Sequence, residues 1–441
     1  MRKLIKNLKA MGFAAVAALT ISCEGFLDEK PSKSILVPES VAEFEAILDN
    51  YDRLSNTAPL PFLYSDDYWT TEPNWLRFSP WQQRAYAWSM EPYLLEETPQ
   101  DYFNLYRRIF MANVVLEKLD EGPDWKQEDI DRLRGRALFF RASGYFELAV
   151  LFLAHPAEGT ASAPKIPLKS SSRFDRVDGW LDASQAFAMI LADLTTALPL
   201  LPEKTALPTQ PSRFGGYALM ARIYLYLGDY GKAAESAEQV LEGGFELIDY
   251  AKLNMDLAFP VSGFNSEVVL FSFMGSQSMV TSNNAAFVDS LLVRDYDATD
   301  YRSKFLFRNT AGFHSFKGNY TGTPDIFSGI ALDEVLLVLA EANVRLGQVD
   351  EGLVYLDRLL GKRIADYQPM ESMEGEEALE TVLDHRRKSL LFRGQRWMDL
   401  KRFSVLDSKR PLLQRKINGE TVGFEAQPGN FRVMVPSSEI Q

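Results

Sequence analysis

Two stretches of this 441-residue chain obey one spacing rule, and that rule constrains the fold more than any other feature. One runs over residues 218–240, the other over 336–359. With Gly228 set against Gly347, Ala221 falls on Ala340, Leu227 on Leu346 and Ala233 on Gly352. Each position has a physical reason. A small residue lets two helices approach closely. The Leu-Gly step ends the first helix in a left-handed cap, where glycine carries no Cβ penalty. The next small residue seats a second helix against the first. Such a helix pair cannot bury its apolar face alone, so it must stack on neighbours.

The rule is the tetratricopeptide (TPR) pattern. It predicts a mainly α fold, a TPR-like superhelix of helical pairs over about 101–153, 184–242 and 331–361. Within 126–153, small and large residues alternate from Ala137 to Phe146, as packed helix pairs require. Residues 184–198 end at Pro199 and Pro202. A further helix is expected over 40–54, capped by Ser40, with Val41, Phe44, Ile47 and Leu48 on one face. Two long insertions interrupt the helices. The first, about 55–99, carries several prolines and the aromatics Tyr64, Tyr68, Trp69, Trp75, Phe78, Trp81, Tyr86 and Trp88. The second, about 260–330, opens with a β-like alternation over 266–273 and continues rich in Gly, Asn, Ser and aromatics. Long segments of weak periodicity are functional loops or disordered, and the aromatic density argues against disorder. No Gly/Ser-rich or Pro-rich linker divides the chain, so 40–441 reads as a single domain with insertions.

The first residues carry a different message. Arg2, Lys3, Lys6 and Lys9 precede a short apolar run, 11–19, followed by Thr20-Ile21-Ser22-Cys23. Positive region, apolar region and small residue make a secretory signal over 1–22. The run is shorter than the roughly 20 apolar residues a bilayer crossing needs. Cys23 is the only cysteine, so no internal disulfide is possible. Its place directly after the signal points to lipidation, which anchors a chain to a membrane without crossing it. Residues 23–39 then form an acidic tether.

The formal net charge is −13, and loss of the basic signal makes it more negative. An acidic surface repels phosphate backbones, which excludes general nucleic-acid binding. His155, His314 and His385 show no zinc-ligand spacing, and there is no Gly-rich phosphate loop or nucleophile elbow. No metal, cofactor or catalytic residue is expected. Paired carboxylates are the one enzymatic alternative: Asp66-Asp67 and Asp295/Asp297 could face a sugar at roughly 5–9.5 Å, as glycosidases require, or could be solvated loop acids.

Residues 386–403, Arg-Arg-Lys-Ser-Leu-Leu-Phe-Arg-Gly-Gln-Arg-Trp-Met-Asp-Leu-Lys-Arg-Phe, resemble the most recognisable motif of the SusD/RagB family. Ala340-Glu341-Ala342 is similar to the end of its late TPR helix, residues 23–31 to its lipidated start, and 435–440 to its closing segment. The chain departs at Ser389 and Arg393, where the family usually has Glu, and its 156–167 loop lacks the usual Tyr-Gly-Asp-Val-Pro-like text. The resemblance implies an outer-membrane lipoprotein of Bacteroidota, exposed at the cell surface. It would act as the lid of a SusC-like TonB-dependent transporter, capturing an oligosaccharide without turnover. In the RagB branch of the family, an oligopeptide takes the sugar's place. Within 386–403, Arg396, Asp399 and Arg402 lie three residues apart on one helical face and can pair, while Trp397 and Leu400 point inward. That gives the motif a folding role, with partner contact as the alternative.

Sugars present apolar C–H faces and hydroxyl edges, so their sites join flat aromatic rings to amides and charged groups. From the first insertion the candidates are Tyr68, Trp69, Asn74, Trp75 and Arg77. From the second they are Tyr296, Arg302, His314 and Tyr320. The resemblance supports the two regions, not individual residues. A TPR scaffold of the cell envelope, with no exposed aromatic platform, is the competing reading.

Overall fold

Left-handed caps and small-residue contacts divide most of the chain into helical pairs. The computed structural model describes residues 38–159, 164–173, 176–275, 285–310, 312–318 and 320–436. The expected signal, Cys23 and most of the expected tether lie outside the described residues, as does the end of the 435–440 segment. The chain divides into two units, Met1–Glu43 and Phe44–Gln441.

In the first unit, Ser40 N donates to Glu43 Oε2 at 2.9 Å and Glu43 N to Ser40 Oγ at 3.4 Å, a capping box. It starts α1 (Val41–Leu48). The helix expected over 40–54 breaks after Leu48, already within the second unit, where a separate turn, Tyr51–Leu54, follows. Asn50 leaves the helical region at ψ 75°. The Asp49 carboxylate accepts from Gln210 Nε2 at 3.0 Å and pairs with Arg136. Asp and Asn readily exchange helical for local or tertiary hydrogen bonds.

In the second unit, α2 (Gln100–Asp120), α3 (Gln127–Phe152) and α4 (Ala183–Ala197) pack in succession. Next, α5 (Arg213–Leu227) pairs with α6 (Tyr230–Leu241). Finally, α7 (Leu332–Arg345) pairs with α8 (Val349–Leu360) and packs against α6 and α9 (Gly375–Ser389). Gly228 and Gly347 adopt φ 81° and 83°, the left-handed caps the repeat requires. A Cβ on Gly352 would stand 2.6 Å from Val344 Cγ2, so only a minimal residue seats α8 on α7. Asp182 caps α4 by accepting from Gln185 N at 2.9 Å.

The last helix, α10 (Gln395–Leu406), buries Trp397 completely, stacked 4.7 Å from Tyr64. Leu400 is buried with it. Arg402 binds Glu341 at 2.6 and 2.7 Å and Asp399 at 2.9 Å, and Arg386 takes the second Asp399 oxygen at 2.9 Å. The 386–403 motif therefore locks the C-terminal helices onto α7. One expected pairing differs: Arg396 leaves Asp399 to Arg402 and Arg386 and reaches Asp66 instead. The two departures from the family pattern have local partners. Arg393 grips Asp333 at 2.8 and 2.7 Å, and Ser389 Oγ accepts from Arg302 Nη1 at 2.9 Å.

The strands are short and pair antiparallel in twos. In chain order they include β1 (Tyr68–Trp69), β2 (Val268–Leu270), β3 (Phe287–Val288), β4 (Phe307–Thr310), β5 (Phe313–Phe316), β6 (Ile330–Ala331), β7 (Leu412–Ile417) and β8 (Glu420–Glu425). β1 pairs with β3, β2 with β6, β4 with β5 and β7 with β8.

Candidate ligand-binding site

The two insertions meet in a ladder. β1 comes from the first and β3 from the second, with Trp69 opposite Phe287. β5 lies beside β3 and adds Phe313. The three rings close on one another: Trp69 to Phe287 4.9 Å, Trp69 to Phe313 5.0 Å and Phe287 to Phe313 5.1 Å between centroids. Phe287 is buried, Trp69 half-buried and Phe313 43% exposed, so the cluster keeps an open aromatic face. Thr70 Oγ1 donates to Ala285 O and ties the insertions together again.

Beside Trp69 lies a cleft of about 300 Å3, at the small end of ligand pockets. Thr70, Ser290, Gln414 and Lys416 contribute polar groups to it, over a floor that includes Tyr68, Tyr86 and Trp88. Gln414 and Lys416 reach it because β7 alternates: Leu413, Arg415 and Ile417 are buried, whereas Gln414 and Lys416 are exposed. Sequence reasoning missed this strand, which lies far from both insertions and carries no aromatic ring. The sequence signal was the Asn418-Gly419 turn, which takes the positive φ values of a tight hairpin, 52° and 77°; the alternating burial of Leu-Leu-Gln-Arg-Lys-Ile does not show in its residue types.

The nine predicted contact residues separate sharply. Trp69 joins both the cluster and the cleft. His314 is half-buried, one residue along β5 from Phe313 and so on the opposite face, where it meets Phe307 at 5.9 Å. Asn74 and Trp75 are half-buried on the short helix Glu72–Trp75, and Arg77 is exposed just beyond it. Trp75 Nε1 is buried with no hydrogen-bond partner among the described residues. Three expectations, Tyr296, Arg302 and Tyr320, are corrected by burial, and a fourth, Tyr68, is largely buried beneath the cleft. Tyr68 donates its hydroxyl to Leu63 O at 3.0 Å, and Tyr296 to Lys388 O at 2.8 Å. Arg302 holds Asp300, with Nη2 at 2.6 Å from Oδ2, and Tyr320 donates to Glu267 Oε2 at 2.5 Å. Tyr68 keeps only its place in the cleft floor, while Tyr296, Arg302 and Tyr320 are buried and hydrogen-bonded inside the fold, so they support the second insertion and present no open face.

Arginines hold both acids of the Asp66-Asp67 pair, and burial raises the Asp67 carboxyl. Arg396 binds Asp66 at two points, and Arg387 bridges Asp66 and Asp67 at 3.1 Å each. Burial pushes the Asp66 carboxyl up, but Arg396 and then Arg387 outweigh it and hold it well below the usual carboxylate range. An acid so held is no proton donor near neutrality. Asp295 and Asp297 are exposed loop acids. Among the described residues no group of three His, Cys, Asp or Glu side chains could hold a metal ion.

A stack of helix pairs whose two insertions converge on an open aromatic face defines a repeat-scaffold binding protein. Residues 25–225 match a SusD-like family model described as "Starch-binding associating with outer membrane", and residues 292–437 match the SusD family model that includes RagB. The chain belongs to the SusD/RagB family. It is 25% identical over 344 residues to the SusD-like protein P2 of Formosa agariphila, a match spanning 63% of this chain and 66% of that relative, just under two-thirds of its length. Its fold is similar to that of a SusD superfamily protein from Bacteroides thetaiotaomicron (TM-score 0.75, 21% identity, 91% of this chain and 98% of that one). It is also similar to that of a laminarin-binding SusD-like protein (TM-score 0.66, 20% identity, 91% and 96%).

Proposed function

We propose that this protein captures oligosaccharides at the outer membrane, for import through a SusC-like TonB-dependent transporter, and does not itself turn them over. The observation that carries the reading is the Trp69–Phe287–Phe313 cluster beside a cleft with hydroxyl, amide and ammonium groups. A rigid ring offers large contact area to a sugar's C–H face at small entropic cost. Polar groups at the rim then read the hydroxyls. Family membership and a laminarin-binding structural relative support the same ligand class. In this reading Cys23 carries the lipid that keeps the protein on the membrane, and residues 40–441 work as a single capture domain.

The test is calorimetric titration of the protein lacking residues 1–23 with panels of oligosaccharides and oligopeptides. Saturable binding confined to the sugars supports the reading. Binding confined to peptides replaces it with the RagB-like alternative, and silence in both panels removes free-standing capture.

A further inference from the structure

We infer that the cleft beside Trp69 selects a ligand bearing an anionic group, a carboxylate or a sulfate on the sugar chain; this rests on the glycan-capture reading. The reason is an uncompensated charge in the cleft wall. Arg415 is 4% exposed. Its guanidinium carbon stands 4.9, 4.1 and 4.2 Å from the ring centroids of Tyr68, Tyr86 and Trp88. Its Nη atoms donate to the carbonyls of Leu63, Ser65 and Tyr86, and its Nε is buried with no partner among the described residues. Among the described residues no carboxylate pairs with it. Carbonyl dipoles and aromatic faces offset part of the cost of burying a cation, but a buried charge without a counter-ion remains unfavourable.

The neighbouring charges deepen the imbalance. Lys416, next on β7, is exposed at the same cleft and also lacks a carboxylate partner among the described residues. The two lining carboxylates are already engaged. Asp66 is held by Arg396 and Arg387. Asp289 accepts from Leu291 N and Leu292 N at 3.0 and 2.9 Å, at the start of the short helix Ser290–Arg294. A chain of net charge −13 thus keeps a cleft with two cations, Arg415 and Lys416, that no carboxylate pairs with among the described residues, against the single un-ion-paired carboxylate of Asp289. A low-dielectric wall strengthens their field. An anionic substituent at the exposed Lys416 ammonium, in the field of the Arg415 guanidinium buried behind it, completes the charge set while Trp69 takes the sugar ring. A neutral glucan leaves both cations as they are.

The experiment titrates the soluble protein with a galacturonic acid hexamer, a sulfated galactan hexamer and maltohexaose. One or both anionic hexamers are expected to bind about tenfold tighter than the neutral one, with affinity falling as salt rises. The two anionic arms separate carboxylate from sulfate. Lys416→Gln, at an exposed position, is expected to erase most of that preference, and Arg415→Lys to weaken it in protein shown to be folded by circular dichroism. Equal or tighter binding of maltohexaose overturns the inference and leaves glycan capture standing. An acid preference that survives Lys416→Gln and salt overturns the assignment to this cleft. No binding of any hexamer overturns the inference together with the reading beneath it.

Discussion

Arg396 and Asp66 form a two-point ion pair, Nε to Oδ1 at 2.6 Å and Nη2 to Oδ2 at 2.8 Å, that fastens helix α10 to the segment just before Trp69. Both side chains are 18% exposed. Removing the guanidinium would leave a largely buried carboxylate with only Arg387. Arg396→Ala is therefore expected to destabilise the protein by about 3–5 kcal/mol, and Asp66→Asn by less. Urea unfolding midpoints of the two variants check the order. The same loss should loosen β1, so ligand affinity should fall with stability in Arg396→Ala.

The caps of the repeats predict a smaller, local cost. Gly347 holds φ 83°, and a Cβ added there would meet nothing within 4 Å, so the obstacle is backbone conformation and not space. Gly347→Ala is expected to cost about 1–2 kcal/mol, the penalty of a side chain in the left-handed region. Gly352→Val adds a true clash with Val344 and Ala340 and is expected to cost about 1–3 kcal/mol. Thermal unfolding of both variants measures the difference.

Glu341 gives the acid limb of stability. Burial raises its carboxyl, yet Arg402, with two short hydrogen bonds, and then Arg345 bring it down to about 2. A value lower in the folded than in the unfolded chain adds stability at neutral pH and loses it as pH falls from the ordinary value of 4.5 toward 2. The shift corresponds to roughly 3 kcal/mol. Glu341→Gln should flatten the stability profile between those two pH values, as followed by unfolding at a series of acid pH values.

Lys401 gives the opposite limb. Its Nζ donates to Val150 O at 2.7 Å and Leu153 O at 2.6 Å at the end of α3, fully buried. Burial lowers its ammonium to about 7, against the pull of Glu158. Between pH 7 and the ordinary lysine value of 10.5, the unfolded chain holds the proton that the folded chain has released. Stability from this group therefore rises with pH across that window. Lys401→Met should remove that rise, while leaving two carbonyls at the helix end to find other donors. Unfolding midpoints measured from pH 7 to 10 in both proteins check it.

The repeats were legible because their spacing is local. Gly228 and Gly347 lie two residues from the start of the next helix, and a short window holds the whole rule. The break at Asp49-Asn50 was hidden because it depends on Arg136 and Gln210, which are far away in sequence. The site was half legible for the same reason. Composition located both insertions and Trp69, but could not tell a ring on an open face from one in a core. Tyr68, Tyr296 and Tyr320 are as aromatic as Trp69, and tertiary hydrogen bonds bury them. Phe287 and Phe313 were passed over because a phenylalanine has no polar handle to suggest a site. Arg415 and Lys416 enter only through the fold of the C-terminal hairpin.

The most direct measurement titrates the best-binding oligosaccharide into wild type, Trp69→Ala and Trp180→Ala, the last a 44% exposed tryptophan on the strand Gly179–Leu181, away from the cluster. The account predicts a loss of about tenfold or more for Trp69→Ala, with Trp180→Ala indistinguishable from wild type and all three proteins folded. Unchanged affinity in folded Trp69→Ala would contradict it.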